Sequence, residues 1–322
     1  MVQSVTFEAS FSNPKIGASG VMASKRDRLD HWFGFGSFFR TARKACGTEP
    51  GLKDWALMRF KWLLMGSAVV ALAAHAQGPL GLKNGEGMSY RVGWTLIPFV
   101  GRIAIAAEEV MGGTQKVIRV TTTTATRGIA RGFYPFDARG ESIFDAASGR
   151  LLVSSESSAS NTKETKTSMV FDYARSSAMY TDDVRPENSK TVPMPAGSPY
   201  DLILGLVQTR SWDLKPGEQR DELVIFKDEF FKLTVHAVGY EEVETPIGTF
   251  KTLVLVPLME KEPPKGMFKR GSTVRVWIAQ DQRHLPVKFE VEFSFGRGIA
   301  VLTDYRPPAA ETAAGHAPNP GP

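Results

Sequence analysis

The chain has 322 residues, a formal net charge of +5 and one cysteine. Residues 1–76 carry ten Lys and Arg against five Asp and Glu, so the other 322 − 76 = 246 residues hold 39 − 10 = 29 basic and 34 − 5 = 29 acidic side chains. The excess charge is therefore confined to the first quarter, and the balanced remainder lacks the net positive charge expected of a nucleic-acid-binding protein.

In chain order, residues 1–57 show no sustained period of two or 3.6. They are expected to be an upstream extension, from a start site placed too early, with translation beginning at Met58. The alternative is a genuine cytoplasmic extension with a basic amphipathic helix near Arg40, Arg43 and Lys44. Segment 58–76 reads as a signal peptide: Arg59 and Lys61 precede the apolar run Trp62 to Ala73, and Ala74-His75-Ala76 supplies the small residues of a cleavage site. Cleavage after Ala76 would leave Gln77 first. The competing retained anchor would be short, about fifteen apolar residues against the roughly 20 that span a bilayer. A buried core helix fits less well, because no apolar face alternates with a polar one. The sole cysteine, Cys46, lies upstream of this segment. The mature product is thus expected to lack disulfides, thiolate catalysis, cysteine-bound metal and a lipid-bearing first cysteine.

From about residue 80 the chain reads as strands. "KVIRVTTTTAT" is rich in β-branched residues, which pack well on a pleated surface. "SPYDLILGLVQTRSWD" breaks the pattern: Ser198 can cap, Pro199 suits a first turn, and Leu202, Ile203, Leu206 and Val207 share a helical face, predicting a helix near 199–209. "FFKLTVHAVG" turns Phe231, Leu233, Val235 and Ala237 inward, and "STVRVWI" does so with Val274, Val276 and Ile278. In "ETPIGTF" Pro246 and Gly248 predict a constrained tight turn between two antiparallel strands. "VKFEVEFSF" alternates Val287, Phe289, Val291, Phe293 and Phe295 with Lys288, Glu290, Glu292 and Ser294, placing the second set on a wet face. Beyond Tyr305 a Pro/Ala tail, residues 307–322, cannot bury enough apolar area to order itself. The predicted fold is all-β: residues 77–306 form one large, strongly curved antiparallel sheet or half-open barrel of about ten to thirteen strands with one short helix.

The pieces "LKNGEGMSYRVGWTLIPFVGRIAI", "FYPFDARGESIFDAASGRLLV", "VETPIGTFKTLVLVP" and "VRVWIAQDQRHLPVKFEVEF", in that order, resemble the bacterial exported family known as domain of unknown function 3108. The resemblance covers roughly residues 80–305 and implies a periplasmic, β-rich protein, with no established activity or catalytic residues. The long polar stretch "SSESSASNTKETKTS" is the main departure from the family's look.

Catalytic and metal chemistry find little support. His236, His284 and His316 have no ligand spacing. "DARGESIFD" differs from a calcium loop in having Arg139 and Ser142 where an oxygen ligand and a glycine belong, so Asp137, Glu141 and Asp145 read as surface charges. There is no nucleophile elbow, phosphate-binding loop or dinucleotide fingerprint. Asp182, Asp183, Glu290 and Glu292 could meet other carboxylates in space, but they read as solvated. "TRGIARGFYPFDARG" mixes arginine, glycine and aromatics as an RNA-binding segment does, yet the neutral mature charge argues for loop and strand ends. The expected function is a non-enzymatic, cofactor-free periplasmic protein that binds a lipid or other apolar or amphiphilic molecule inside the curved sheet. Trp94, Trp277, Phe289, Val291, Phe293 and Phe295 would line that space. A scaffold docking envelope proteins through an edge strand is the alternative, and a cell-wall hydrolase comes last.

Overall fold

The computed structural model describes residues 80–309 apart from 262, 265, 269–271 and 295. Phe295, the segments 1–57 and 58–76, and the tail beyond residue 309 lie outside the described residues.

One device repeats from Gly87 onward: an extended segment, a tight turn, and an antiparallel return. Strands β1 (Gly87–Trp94), β2 (Ile97–Gly112) and β3 (Gln115–Thr126) are joined by two-residue turns. Thr95 and Gly113 take φ of 49° and 69° there, the positive region that matches a hairpin turn to the twist of its strands. A short helix, α1 (Gly128–Phe133), leads to β4 (Phe136–Asp145), β5 (Leu151–Ser160), β6 (Glu164–Asp172), β7 (Ser177–Asp182) and β8 (Lys190–Pro193). The second half runs through β9 (Tyr200–Asp201), α2 (Leu202–Gln208), β10 (Gln219–Phe226), β11 (Glu229–Thr245), β12 (Gly248–Leu258), β13 (Thr273–Ala279), β14 (Pro286–Phe293) and β15 (Gly296–Arg306).

Backbone hydrogen bonds order these strands β8-β7-β6-β5-β4-β3-β2-β1-β15-β14-β13-β12-β11-β10-β9 in one sheet. All neighbours are antiparallel except β9 and β10. Pairing of β1 with β15 joins two meanders at the centre, leaving β8 and β9 as the two edges. The sheet is not closed by a ladder. Its twist, sharpened by register shifts at Ile143/Phe144, Ala237/Gly239 and Trp277/Ile278, curls the ends toward each other. Side chains bridge the gap: Phe144 meets Tyr200 at 5.7 Å between ring centres, Phe171 meets Phe230 edge-on at 6.4 Å, and Lys190 pairs with Asp228. This is the all-β, strongly curved, half-open architecture expected. Fifteen strands replace ten to thirteen because β8 and β9, four and two residues long, are too short to show alternation.

Phe231, Leu233, Val235 and Ala237 are buried as the period of two requires, and so are Val274, Val276 and Ile278. Three expectations need correction. Glu290 is 3 % exposed rather than solvated, covered by Arg275, Lys288 and Arg297, whose charged groups lie 2.9, 3.5 and 3.9 Å from it. The predicted helix 199–209 starts later, because Tyr200 and Asp201 pair with Val224 and Ile225. Asp201, not Ser198, is its cap, accepting the Leu204 N–H at 3.0 Å. Asp182 is also buried, its carboxylate accepting the N–H groups of Val184 and Arg185 to hold a turn.

A buried ion pair fixes the approach to β1. Arg210 donates to Glu86 at 2.6 Å and to the carbonyls of Arg283 and His284, while Tyr305 donates to the same Glu86 oxygen at 3.1 Å. Pairing plus carbonyl bonds makes burial of this charge tolerable.

Candidate functional site

The curled sheet brings β3–β7 face to face with β9, α2 and the end of β10. Facing β-layers stand about 10 Å apart and need large side chains to fill the gap. Near Phe144, Leu151 and Tyr200 they have them. Two cross-strand rows do not. Thr122, Gly140, Glu156 and Thr167 are register partners in sequence across β3–β6, and Ser142, Ser154 and Met169 form the row beside them. These mostly small side chains leave a cleft of about 60 Å³. That is room for a few water molecules or a small head group. The opposite wall is apolar where Leu202, Ile203, Ile225 and Phe226 contribute, and charged at Asp201 and Lys227.

Three ionisable groups share this space. Burial, reinforced by the negative charge of Asp201 and partly offset by Lys227 and Lys163, pushes the Glu156 carboxyl up to about 8. Its Oε1 is buried and has no hydrogen-bond partner. Burial, with repulsion from Lys163 and Arg185, brings the Lys227 ammonium down to about 8. Lys227 occupies the β10–β11 turn with φ of 59°. Burial also raises Asp201, but both of its oxygens serve the fold, one on the Leu204 N–H and the other accepting from the Ser142 hydroxyl at 2.8 Å. Glu156 is thus the carboxyl with unused capacity to accept a donor. No group of three His, Cys, Asp or Glu among the described residues is arranged to hold a metal ion.

The residues predicted to line a ligand space sit outside this cleft. Trp94 stacks on Phe293 at 6.1 Å, and Phe289 meets Tyr90 edge-on at 5.3 Å. Val291 is 8 % exposed within the cluster formed by β11–β14. Trp277, 3 % exposed, donates its indole N–H to Glu241 at 2.8 Å under the ammonium of Lys288. None of these five lines the cleft, and they make ring and core contacts around β1 and β13–β15. The alternation that marked them is the same for a packed core as for a cavity wall. Pro246 and Gly248 form the β11–β12 turn, where Gly248 has φ of 135° and Thr245 donates its hydroxyl to the Gly248 carbonyl at 2.9 Å. Glu156, Lys227 and Asp201 were not anticipated as site residues. The available signal was "SSESSAS", in which small hydroxyls recur every second residue around one glutamate.

Fold and site together define a β-rich protein with a half-open barrel and an internal hydroxyl-lined cleft. The chain belongs to the family described as protein of unknown function (DUF3108), whose model matches residues 89–303. No curated protein matches it. Among solved structures it is similar to a β-barrel-like protein of domain of unknown function DUF1849 from Brucella abortus, with 8% identity, 70% of this chain and 98% of that one covered, and a TM-score of 0.45. It is also similar to a proposed lipoprotein from Parabacteroides distasonis, at 10% identity, coverage of 71% and 97%, and a TM-score of 0.29. A proposed exported protein with a YmcC-like fold from Bacteroides fragilis matches at 12% identity, coverage of 70% and 97%, and a TM-score of 0.28. None of these likenesses bears on function.

Proposed function

We propose that the protein is a non-enzymatic component of the bacterial cell envelope, exported through segment 58–76, that binds an amphiphilic ligand in the cleft between the two ends of its sheet. The observation that carries this reading is Glu156: a carboxyl buried in a hydroxyl-lined cleft with one oxygen unpartnered. The cleft leaves that oxygen room to accept a donor, and a carboxyl raised this far inside a cleft is a candidate ligand-binding group. The ligand's head carries hydrogen-bond donors, such as an amine or a polyol, for Glu156 and the Ser/Thr wall. Its apolar part lies on Leu202, Ile203, Ile225 and Phe226.

The two rival readings have weaker support. A scaffold docking by strand addition needs a long free edge, whereas β8 has four residues including Lys190 and Pro193, and β9 has two and runs into a helix. A glycoside hydrolase of the usual kind needs two working carboxyls, and Asp201 is committed to Ser142 and Leu204. Native mass spectrometry of protein taken directly from envelope fractions tests the proposal. Wild type should carry a bound amphiphile mass that Glu156→Ala removes while the fold is kept. An identical mass on both proteins, or none on wild type, would reject it.

A further inference from the structure

Apart from the cleft, five large apolar side chains are left exposed together at one place on the surface. The β1–β2 turn projects Leu96, which is 93% exposed, with Ile97 and Phe99 beside it. Helix α1 projects Ile129 and Phe133, 77% and 79% exposed and four residues apart, hence on one face. Backbone contacts join the two: the Arg127 N–H donates to the Val100 carbonyl at 2.9 Å, and Gly128 lies against the Phe99 ring. The β14–β15 turn abuts the other side, where the Thr95 N–H donates to the Arg297 carbonyl at 2.7 Å. Helix α1 is therefore amphipathic in the inverse sense, with Ala130 packed toward the core and its large apolar residues in solvent. Single exposed apolar residues need no explanation, but a contiguous projecting group does.

Arginines accompany this group. Arg127 directly precedes helix α1, and Arg91 and Arg102 lie on β1 and β2, the strands joined by the turn that carries Leu96. Arg91 and Arg102 face each other directly across the ladder, a like-charge placement that opposes strand pairing. No carboxylate among the described residues pairs with Arg91, Arg102 or Arg127, whereas Arg119, Arg139, Arg275 and Arg297 of the sheet each lie within ion-pair distance of an acid. The apolar residues sit on a hairpin turn with the strand start beside it and on a short helix. Exposed apolar side chains with arginines that have no acid partner nearby suit a soft anionic layer, where the apolar groups enter the acyl boundary and the guanidinium groups meet phosphates. No helix among the described residues is long and apolar enough to cross a membrane, so such a contact would be peripheral.

We infer that Leu96, Ile97, Phe99, Ile129 and Phe133, with Arg91, Arg102 and Arg127, form a docking face for an anionic lipid bilayer. This face is separate from the cleft and does not depend on what the cleft binds.

Vesicle flotation, using protein in the form its cells produce, tests the inference. One set of vesicles is phosphatidylcholine alone and the other contains a minor share of phosphatidylglycerol. Wild type should float with the anionic vesicles and much less with the neutral ones. Leu96→Ser combined with Phe133→Ser should weaken partition by about tenfold or more, with an unchanged melting temperature because both residues are exposed. Arg102→Gln combined with Arg127→Gln should keep weak binding and lose the preference for anionic vesicles. Failure of wild type to float, or undiminished flotation of the Leu96/Phe133 variant, would overturn the inference. So would a wild-type dimer that the Leu96/Phe133 variant converts to monomer, since the face would then be an interface between copies.

Discussion

Glu156→Gln changes one atom of the cleft and makes the sharpest statement about its electrostatics. The wild-type carboxyl titrates at about 8 in the folded protein against 4.5 for the free group, chiefly through burial. A raised carboxyl favours folding fully below the unfolded value and loses that contribution as pH climbs toward the folded one. Wild type should therefore lose stability between pH 4.5 and 8. Each tenfold change in proton affinity is worth about 1.4 kcal/mol, and solvent reaching the group through the open mouth reduces the sum, leaving about 1–3 kcal/mol at neutral pH. Lys227, lowered to about 8, has the opposite slope and restores stability between pH 8 and 10.5. Glu222, also raised to about 8 by burial, adds a second acid-side contribution. The Glu156→Gln variant keeps Lys227 and Glu222, so the difference between its urea unfolding curves and those of wild type, measured from pH 4 to 8, isolates Glu156. The variant should match wild type at the acid end and exceed it by about 1–3 kcal/mol at pH 7–8. A pH-independent difference would refute the burial of this carboxyl.

Other outcomes follow from the packing. Arg210→Ala strands Glu86 without its buried partner and should cost about 3–5 kcal/mol in denaturant unfolding. At Gly248 a Cβ would make only ordinary contact with the Phe250 ring, at 3.9 Å, yet Gly248→Val must hold φ of 135°, so backbone strain should cost about 1–3 kcal/mol. Thr249→Ser in the same turn should leave the thermal midpoint almost unchanged. Equal midpoints for the Gly248 and Thr249 variants would mean that the turn is permissive.

The long strands were legible because burial on a pleat leaves an alternation that survives in sequence, as in β11, β13 and β14. The short edges β8 and β9 have too few residues to alternate, and α1 is six residues with a glycine at 132 that weakens any helical signal. Glu290 shows a limit of the two-face rule: the alternation placed it correctly opposite Phe289 and Val291, but three cations close over that face. The cleft was hidden for a different reason. A strand of small hydroxyls looks like a solvated linker, and only the register that aligns Gly140 with Glu156 and Glu156 with Thr167 shows that one of its faces is interior. Lys227 and Asp201 reach the same space from residues far along the chain, a proximity created by the curl of the sheet.

Gly140 offers the most direct test of the cleft as a binding site. A Cβ there would meet nothing closer than 3.9 Å, and the cleft beside it has room for the rest of a side chain. Gly140→Leu should therefore fill the cleft without unfolding the sheet. Protein from envelope fractions would be extracted with organic solvent and the extract weighed by mass spectrometry, wild type beside this variant, with melting curves confirming that both are folded. The account expects an amphiphile from wild type and none from the folded variant. The same amphiphile recovered in equal amount from both would contradict it.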